Sequence, residues 1–120
     1  MSWLLIGVAG AAGALVRYGL GVLVGPRAFP GVTLTINVTG SFLLALLLTL
    51  AAGGRVSSQT ALVLGTGFLG AYTTYSTFSW DVVTLLRDGA WVAAVGYLLL
   101  SVVLGLAAAG LGYRLGVLLR

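Results

Sequence analysis

The amino-acid sequence predicts an all-α membrane protein with four transmembrane helices, and three observations carry that expectation. The chain of 120 residues is 60% hydrophobic and only 7% charged, with a mean hydropathy of +1.16, far from the composition of water-soluble domains. Long apolar stretches alternate with short runs of Gly, Pro and Arg that read as turns. A helical span takes about 20 apolar residues, so this length holds four spans with short connections and hardly five. One membrane domain is expected.

The first span covers about 3–24 and stops at Gly25-Pro26-Arg27, with Phe29-Pro30-Gly31 completing the turn. The N-terminus has no basic region followed by a small-residue cleavage site, so this first stretch is read as a retained helix and not a signal peptide. The second covers about 32–52 and stops at Gly53-Gly54-Arg55. Ser57 or Ser58 caps the third, which runs over about 58–86 to Arg87-Asp88-Gly89, and the fourth covers about 90–113. Trp3, Trp91 and Tyr113 fall near span ends, where an interfacial aromatic belt belongs.

Composition also excludes. Without Cys or His, and with only Asp81 and Asp88 as acids, the chain lacks thiolate chemistry, a transition-metal site and the usual acid–base inventory. An enzyme is not expected. The net charge of +4 comes from six Arg scattered singly, not the basic stripe of a nucleic-acid binder.

Orientation is balanced on the Arg count. With four spans, Arg55, Arg114 and Arg120 share one side, against Arg27, Arg87 and, if it reaches that end, Arg17 on the other. Three against three gives no preferred direction. Either the chain inserts both ways, which permits an antiparallel homodimer, or one dominant charge fixes it.

The third span is the most informative. Gln59 to Leu86 as one helix would extend roughly 42 Å against a hydrocarbon core of ~30 Å. Its middle, from Gly65 to Ser79, holds three glycines and then β-branched and hydroxylated residues, a poor helix centre. A break mid-membrane, tolerated where it is buried in protein or lines a wet cavity, would shorten it and mark an ion site. Tilt with a protruding end is the other solution.

Several polar groups sit inside these spans. Asn37 either bonds across helices or donates its NH₂ to a passing anion. Tyr97, Ser101 and Gly105 share one face of the fourth span at i, i+4 and i+8, forming a hydroxyl track or small-residue packing. Tyr75 and Phe78 lie three apart and turn their rings the same way; ring edges are electropositive and suit a small anion, and ordinary packing is the alternative. Arg17 lies deep in the first span, where it lines an aqueous vestibule or snorkels to the interface. The pairs Gly7/Ala11, Gly21/Gly25, Gly105/Ala109 and Gly112/Gly116 have the small-xxx-small spacing of close helix contacts.

Three strings together resemble the Fluc (CrcB-type) family of fluoride ion channels over nearly the full length. They are Gly10 to Tyr18 (GAAGALVRY), Thr33 to Phe42 (TLTINVTGSF) and, most specific, Gly67 to Ser79 (GFLGAYTTYSTFS). The resemblance implies an antiparallel dual-topology homodimer of two inverted copies in the plasma (inner) membrane, with two fluoride pathways. It implies a structural Na⁺ at the dimer interface, held by backbone carbonyls that map onto Gly70 and Thr73. The pathway residues map onto Asn37, Tyr75, Ser76, Thr77, Phe78, Tyr97 and Ser101, and Arg17 maps to the vestibule. The chain departs from the family pattern in having Tyr75 where Phe is usual, Gly105 where a further hydroxyl is often found, and Ala71 for a second glycine.

The implied activity is passive export of fluoride, which limits its toxicity after HF enters a bacterial cell and dissociates. Donors replace the water of a small, strongly hydrated anion along a path too narrow for chloride. No nucleotide motif or carboxylate suggests coupling to ATP or protons. The alternatives are a small dual-topology multidrug-type exporter, which would need an acid that 3–24 lacks, and a non-transporting membrane assembly subunit, which leaves the clustered hydroxyls unexplained.

Overall fold

The computed structural model describes all residues 1–120 as helices and short connections. Three helices are long and apolar enough to cross a membrane: α1 (Ser2–Val24), α2 (Gly31–Ala52) and α6 (Trp91–Leu119). Between α2 and α6 lie α3 (Ser58–Leu62), a π-helical segment Val63–Leu69, α4 (Gly70–Tyr72) and α5 (Tyr75–Arg87). Ser57 caps α3 by accepting the Thr60 N–H. Gly25, Gly54 and Gly89 turn the chain with positive φ, the backbone region glycine enters without steric cost.

The interruption lies at Thr73-Thr74, both extended, with φ −81°, ψ 157° and φ −151°, ψ 120°. The glycines upstream do not break the helix. Gly65 and Gly67 stay helical in the wider π geometry, in which Gly70 N–H donates to Gly65 O. The break falls instead on two β-branched residues whose hydroxyls bond to backbone. Thr73 Oγ1 donates to Leu69 O at 2.9 Å, and Thr74 Oγ1 caps α5 by accepting the Thr77 N–H at 3.2 Å.

Glycine contacts fix the helix directions. A Cβ at Gly112 would strike Phe42 O, one at Gly116 would meet Thr49 Cβ at 2.6 Å, and one at Gly53 would strike the Arg120 stem. These partners advance together along both chains, so α2 and α6 run parallel and end level. Residues between them must therefore return the full length of the molecule. α1 packs parallel to that returning segment: Gly67 faces Ile6 and Ala9, and a Cβ at Gly13 would strike Phe68 O. Of the small-residue pairs in the sequence, Gly112/Gly116 makes a close contact within the chain, whereas Gly7 and Gly21 face open space.

Two small clusters form the interior. Ile36, Leu69 and Tyr72 join Leu20 and Phe68 across α1, α2 and the π segment, and Leu85, Ala94 and Tyr97 join Leu34 and Phe78 across α2, α5 and α6. Only 15 of 120 residues are buried, and leucines, valines and tryptophans crowd the exterior. Such an apolar surface belongs in lipid or against another chain; the chain is a helical membrane protein.

Candidate functional site

Leaving the helix at Thr73-Thr74 frees backbone groups that cost energy in an apolar setting unless paired. Asn37, on α2, takes two of them. Its Nδ2 donates to Thr74 O at 3.0 Å, and its Oδ1 accepts the Thr74 N–H at 2.9 Å. Of the two roles the sequence left open for Asn37, the bond across helices is present, and it goes to backbone. One N–H of its amide stays outside this pair, since the NH₂ carries two. Ser41, one turn on, donates to Asn37 O at 2.7 Å.

Arg17 reaches a third freed group: its Nε donates to Ala71 O at 3.0 Å, at the carbonyl end of α4. A guanidinium there complements the negative pole of the upstream helix. Because this draws Arg17 inward, it leaves the topology count, and the Arg balance between the two ends is three against two. Arg17 also lines a hollow of about 800 Å³ with Tyr18, Thr33, Thr74 and Thr77.

Three carbonyls, Gly70 O, Tyr72 O and Thr73 O, are left without their helical partners. Gly70 O would receive the Thr74 N–H in an unbroken helix, but that N–H goes to Asn37; Thr73 O would receive the Thr77 N–H, but that goes to Thr74 Oγ1. Leu69 O and Ala71 O are taken, by Thr73 and Arg17.

A cleft of about 370 Å³ opens at the break, lined by Asn37, Ser41, Gly70, Thr73, Tyr75, Phe78 and Ser101 among others. Ser101 Oγ is buried without a hydrogen-bond partner. The Tyr75 and Phe78 rings lie 6.0 Å apart, tilted by 47°, and Tyr75 is 81% exposed at the mouth. The cleft thus gathers Asn37, Gly70, Thr73, Tyr75, Phe78 and Ser101. Thr77 faces the Arg17 hollow on the other side of the break, and Ser76 is exposed beside Thr74, 3.3 Å between hydroxyls. Tyr97 does not line the cleft. It is fully buried, its hydroxyl donates to Asp81 Oδ2 at 3.0 Å, and its ring meets Phe78 at 5.2 Å.

Sequence reasoning did not reach Thr74 as the residue clamped by Asn37, Ser41 in the cleft, or Asp81 as partner to Tyr97. For Thr74 a signal existed, a threonine three residues before Thr77 at a helix start. The Asn37 and Asp81 pairings join residues 37 and 16 positions apart and carry no local signature.

Comparison with known proteins identifies the family. The family profile described as "CrcB-like protein, Camphor Resistance (CrcB)" matches residues 4–113. A protein of Symbiobacterium thermophilum named "Fluoride-specific ion channel FluC 1" is 50% identical, over 97% of this chain and 98% of its own. "Fluoride-specific ion channel FluC 2" of Moorella thermoacetica is 46% identical over 94% of each, and "Fluoride-specific ion channel FluC" of Thermus thermophilus 44% identical over 95% and 94%. With a profile match over nearly its whole length and relatives this similar end to end, the chain belongs to the CrcB-like family of fluoride-specific ion channels.

Proposed function

We propose that the chain is a passive, fluoride-selective channel, and that its pathway starts at the cleft beside the Thr73-Thr74 break. The observation that carries this reading is the break itself. Held by Asn37, it sets the N–H end of α5 beside neutral donors and aromatic rings, with no fixed countercharge in the cleft. The first N–H groups of a helix have no intrahelical partners and attract anions. Ser101 Oγ, unpartnered and buried, and the free amide N–H of Asn37 are donors of the same kind. Ring edges of Tyr75 and Phe78 complete a shell that replaces water around a small anion and lets it leave again.

In this reading segment 58–87 is the third of four spans, broken at mid-membrane depth; the level ends of α2 and α6 and the direction of the return support it. The cleft lies open on one copy, and an inverted second copy closes it into a pathway, giving an antiparallel homodimer in the plasma membrane. Three Arg against two give no strong orientation, in keeping with dual insertion. Ser76, Thr77 and Tyr97 continue the pathway beyond the cleft, and Arg17 belongs to the vestibule. The membrane potential, negative inside, drives fluoride outward, which lowers its toxicity in the cytoplasm.

The released Gly70 and Thr73 carbonyls fit a sodium ion: neutral oxygens, aimed away from helical partners, with no cluster of carboxylates to favour a divalent cation. The same two carbonyls from each copy would hold it. Bound there, Na⁺ supplies a fixed positive charge that ties the copies at their breaks. Replacing sodium by an organic cation on both sides of the membrane is expected to slow fluoride efflux and weaken the dimer in detergent; unchanged efflux and dimer would remove the ion from the reading.

The test of function is fluoride efflux from protein-loaded liposomes, read with a fluoride electrode against a chloride control. Fluoride without chloride is expected, with no accompanying proton movement. Phe78→Ala should reduce efflux at least about tenfold while leaving the dimer intact in size-exclusion chromatography. Equal chloride flux, or stoichiometric proton coupling, would overturn the proposal.

A further inference from the structure

The aromatic residues of the site do not stop at Phe78. From the mouth of the cleft inward, Tyr75, Phe78 and Tyr97 succeed one another at 6.0 and 5.2 Å, and a fourth ring follows: Phe29, 5.6 Å from Tyr97 and edge-on at 84°. Phe29 is not part of a span. It lies in the connection between α1 and α2, followed by Pro30, and its carbonyl accepts the Gly31 N–H at 2.8 Å while Pro30 O accepts the Leu34 N–H. Proline also restricts the residue before it. A connection of this kind is ordinarily free to move; here the backbone on the α2 side of Phe29 is fixed.

We propose that Phe29 is a positioning residue for the fluoride pathway: its ring closes the connection-side end of the aromatic row, holding Tyr97 against Phe78 and keeping water from the Tyr97 ring. The inference deepens the channel reading and rests on it. Tyr97 is 0% exposed although it sits only two turns into α6, near a membrane boundary. Its hydroxyl is already committed to Asp81, which fixes the tip of the side chain and leaves the ring to be held by its neighbours. Beyond the aliphatic cluster around Leu85 and Ala94, its aromatic neighbours are Phe78 on the pathway side and Phe29 on the other. An edge-to-face contact sets orientation as well as distance, so loss of the Phe29 ring releases Tyr97, and with it one of the two rings that orient Phe78.

The test uses Phe29→Leu, which keeps apolar bulk without a ring, and Phe29→Tyr, which restores one. In liposomes, Phe29→Leu is expected to lower fluoride efflux about fivefold, the order of one edge-to-face pair, and Phe29→Tyr to recover most of it. A second readout does not depend on fluoride. The chain contains no cysteine, so Ala94→Cys places a single thiol at a position 1% exposed, beside Tyr97. That thiol should resist a water-soluble thiol reagent with Phe29 present and react with Phe29→Leu. Equal labelling in both backgrounds, or loss of efflux in Phe29→Tyr as large as in Phe29→Leu, would overturn the proposal. Absence of fluoride flux in the parent chain would instead defeat the channel reading, and the labelling comparison would still decide whether Phe29 seals this end.

Discussion

Replacing Asn37 by Ala is expected to reduce fluoride efflux by at least about 100-fold, because it strips both hydrogen bonds from Thr74 at once. Each buried backbone group left unpaired costs ~1–3 kcal/mol, and two such losses at one residue, ~4 kcal/mol at mid-range, amount to about three decades in the population of the working geometry. The released Thr74 N–H would turn back toward Gly70 O, re-forming the helix that Asn37 keeps open. Asn37→Asp separates the two bonds: its carboxylate still accepts from Thr74 N–H but no longer donates to Thr74 O, and it sets a negative charge beside the anion path. It should conduct no better than the Ala variant, while holding the dimer. Efflux near the parent rate in Asn37→Ala would show that the break stands without its clamp.

The second large effect is expected at Gly13. A Cβ there collides with Phe68 O and comes within 3.1 Å of Tyr72 N, both backbone and unable to turn away. Gly13→Val must therefore push α1 off the π segment, at a cost of ~1–3 kcal/mol or more. The shift is not only structural, since α1 also carries Arg17 to Ala71 O, one turn further along. Thermal unfolding in detergent should fall by several degrees, and efflux should fall further than the loss of folded protein accounts for. Gly7→Ala, with open space at its Cβ, is the matched control and should alter neither. Parent-like stability in Gly13→Val would mean that α1 and the π segment do not need backbone contact.

How far the sequence could be read depended on whether a feature was local. Span positions came from runs of apolar residues and glycine or proline turns, which are contiguous; α1 and α2 begin and end within one residue of the predicted limits. The fourth span was set short, ending at 113 where α6 continues to Leu119, since Arg114 reads as a boundary although a long side chain at a helix end is easily accommodated. The excess length and composition of the third span point to an interruption between Gly65 and Ser79, and the extended pair Thr73-Thr74 lies inside that stretch. Glycine's low helix propensity contributes to that expectation, yet Gly65 and Gly67 stay helical, buried against α2 and α1 respectively. Packing overrode propensity. The interruption sits where hydroxyls supply replacement partners for the backbone, and those partners come from α1 and α2, through Arg17 and Asn37. The same reason explains why Arg17 enters the topology count only conditionally in the sequence. Its distance from the end of α1 was visible in the sequence, but its bond to Ala71 was not.

The parallel seam between α2 and α6 has a mechanical consequence. Packed against Phe42 backbone at Gly112 and the Thr49 side chain at Gly116, these two helices make a stiff plank, whereas α5 is held by the Asn37 clamp at its start, the Tyr97 hydroxyl on Asp81 and one small apolar cluster around Leu85. Spontaneous breathing of the molecule therefore concentrates in α5, whose amides should trade their hydrogens with solvent sooner than those of the plank. With the pathway proposed above, any widening that lets an ion pass would be a movement of that one short rod against a wall that stays still.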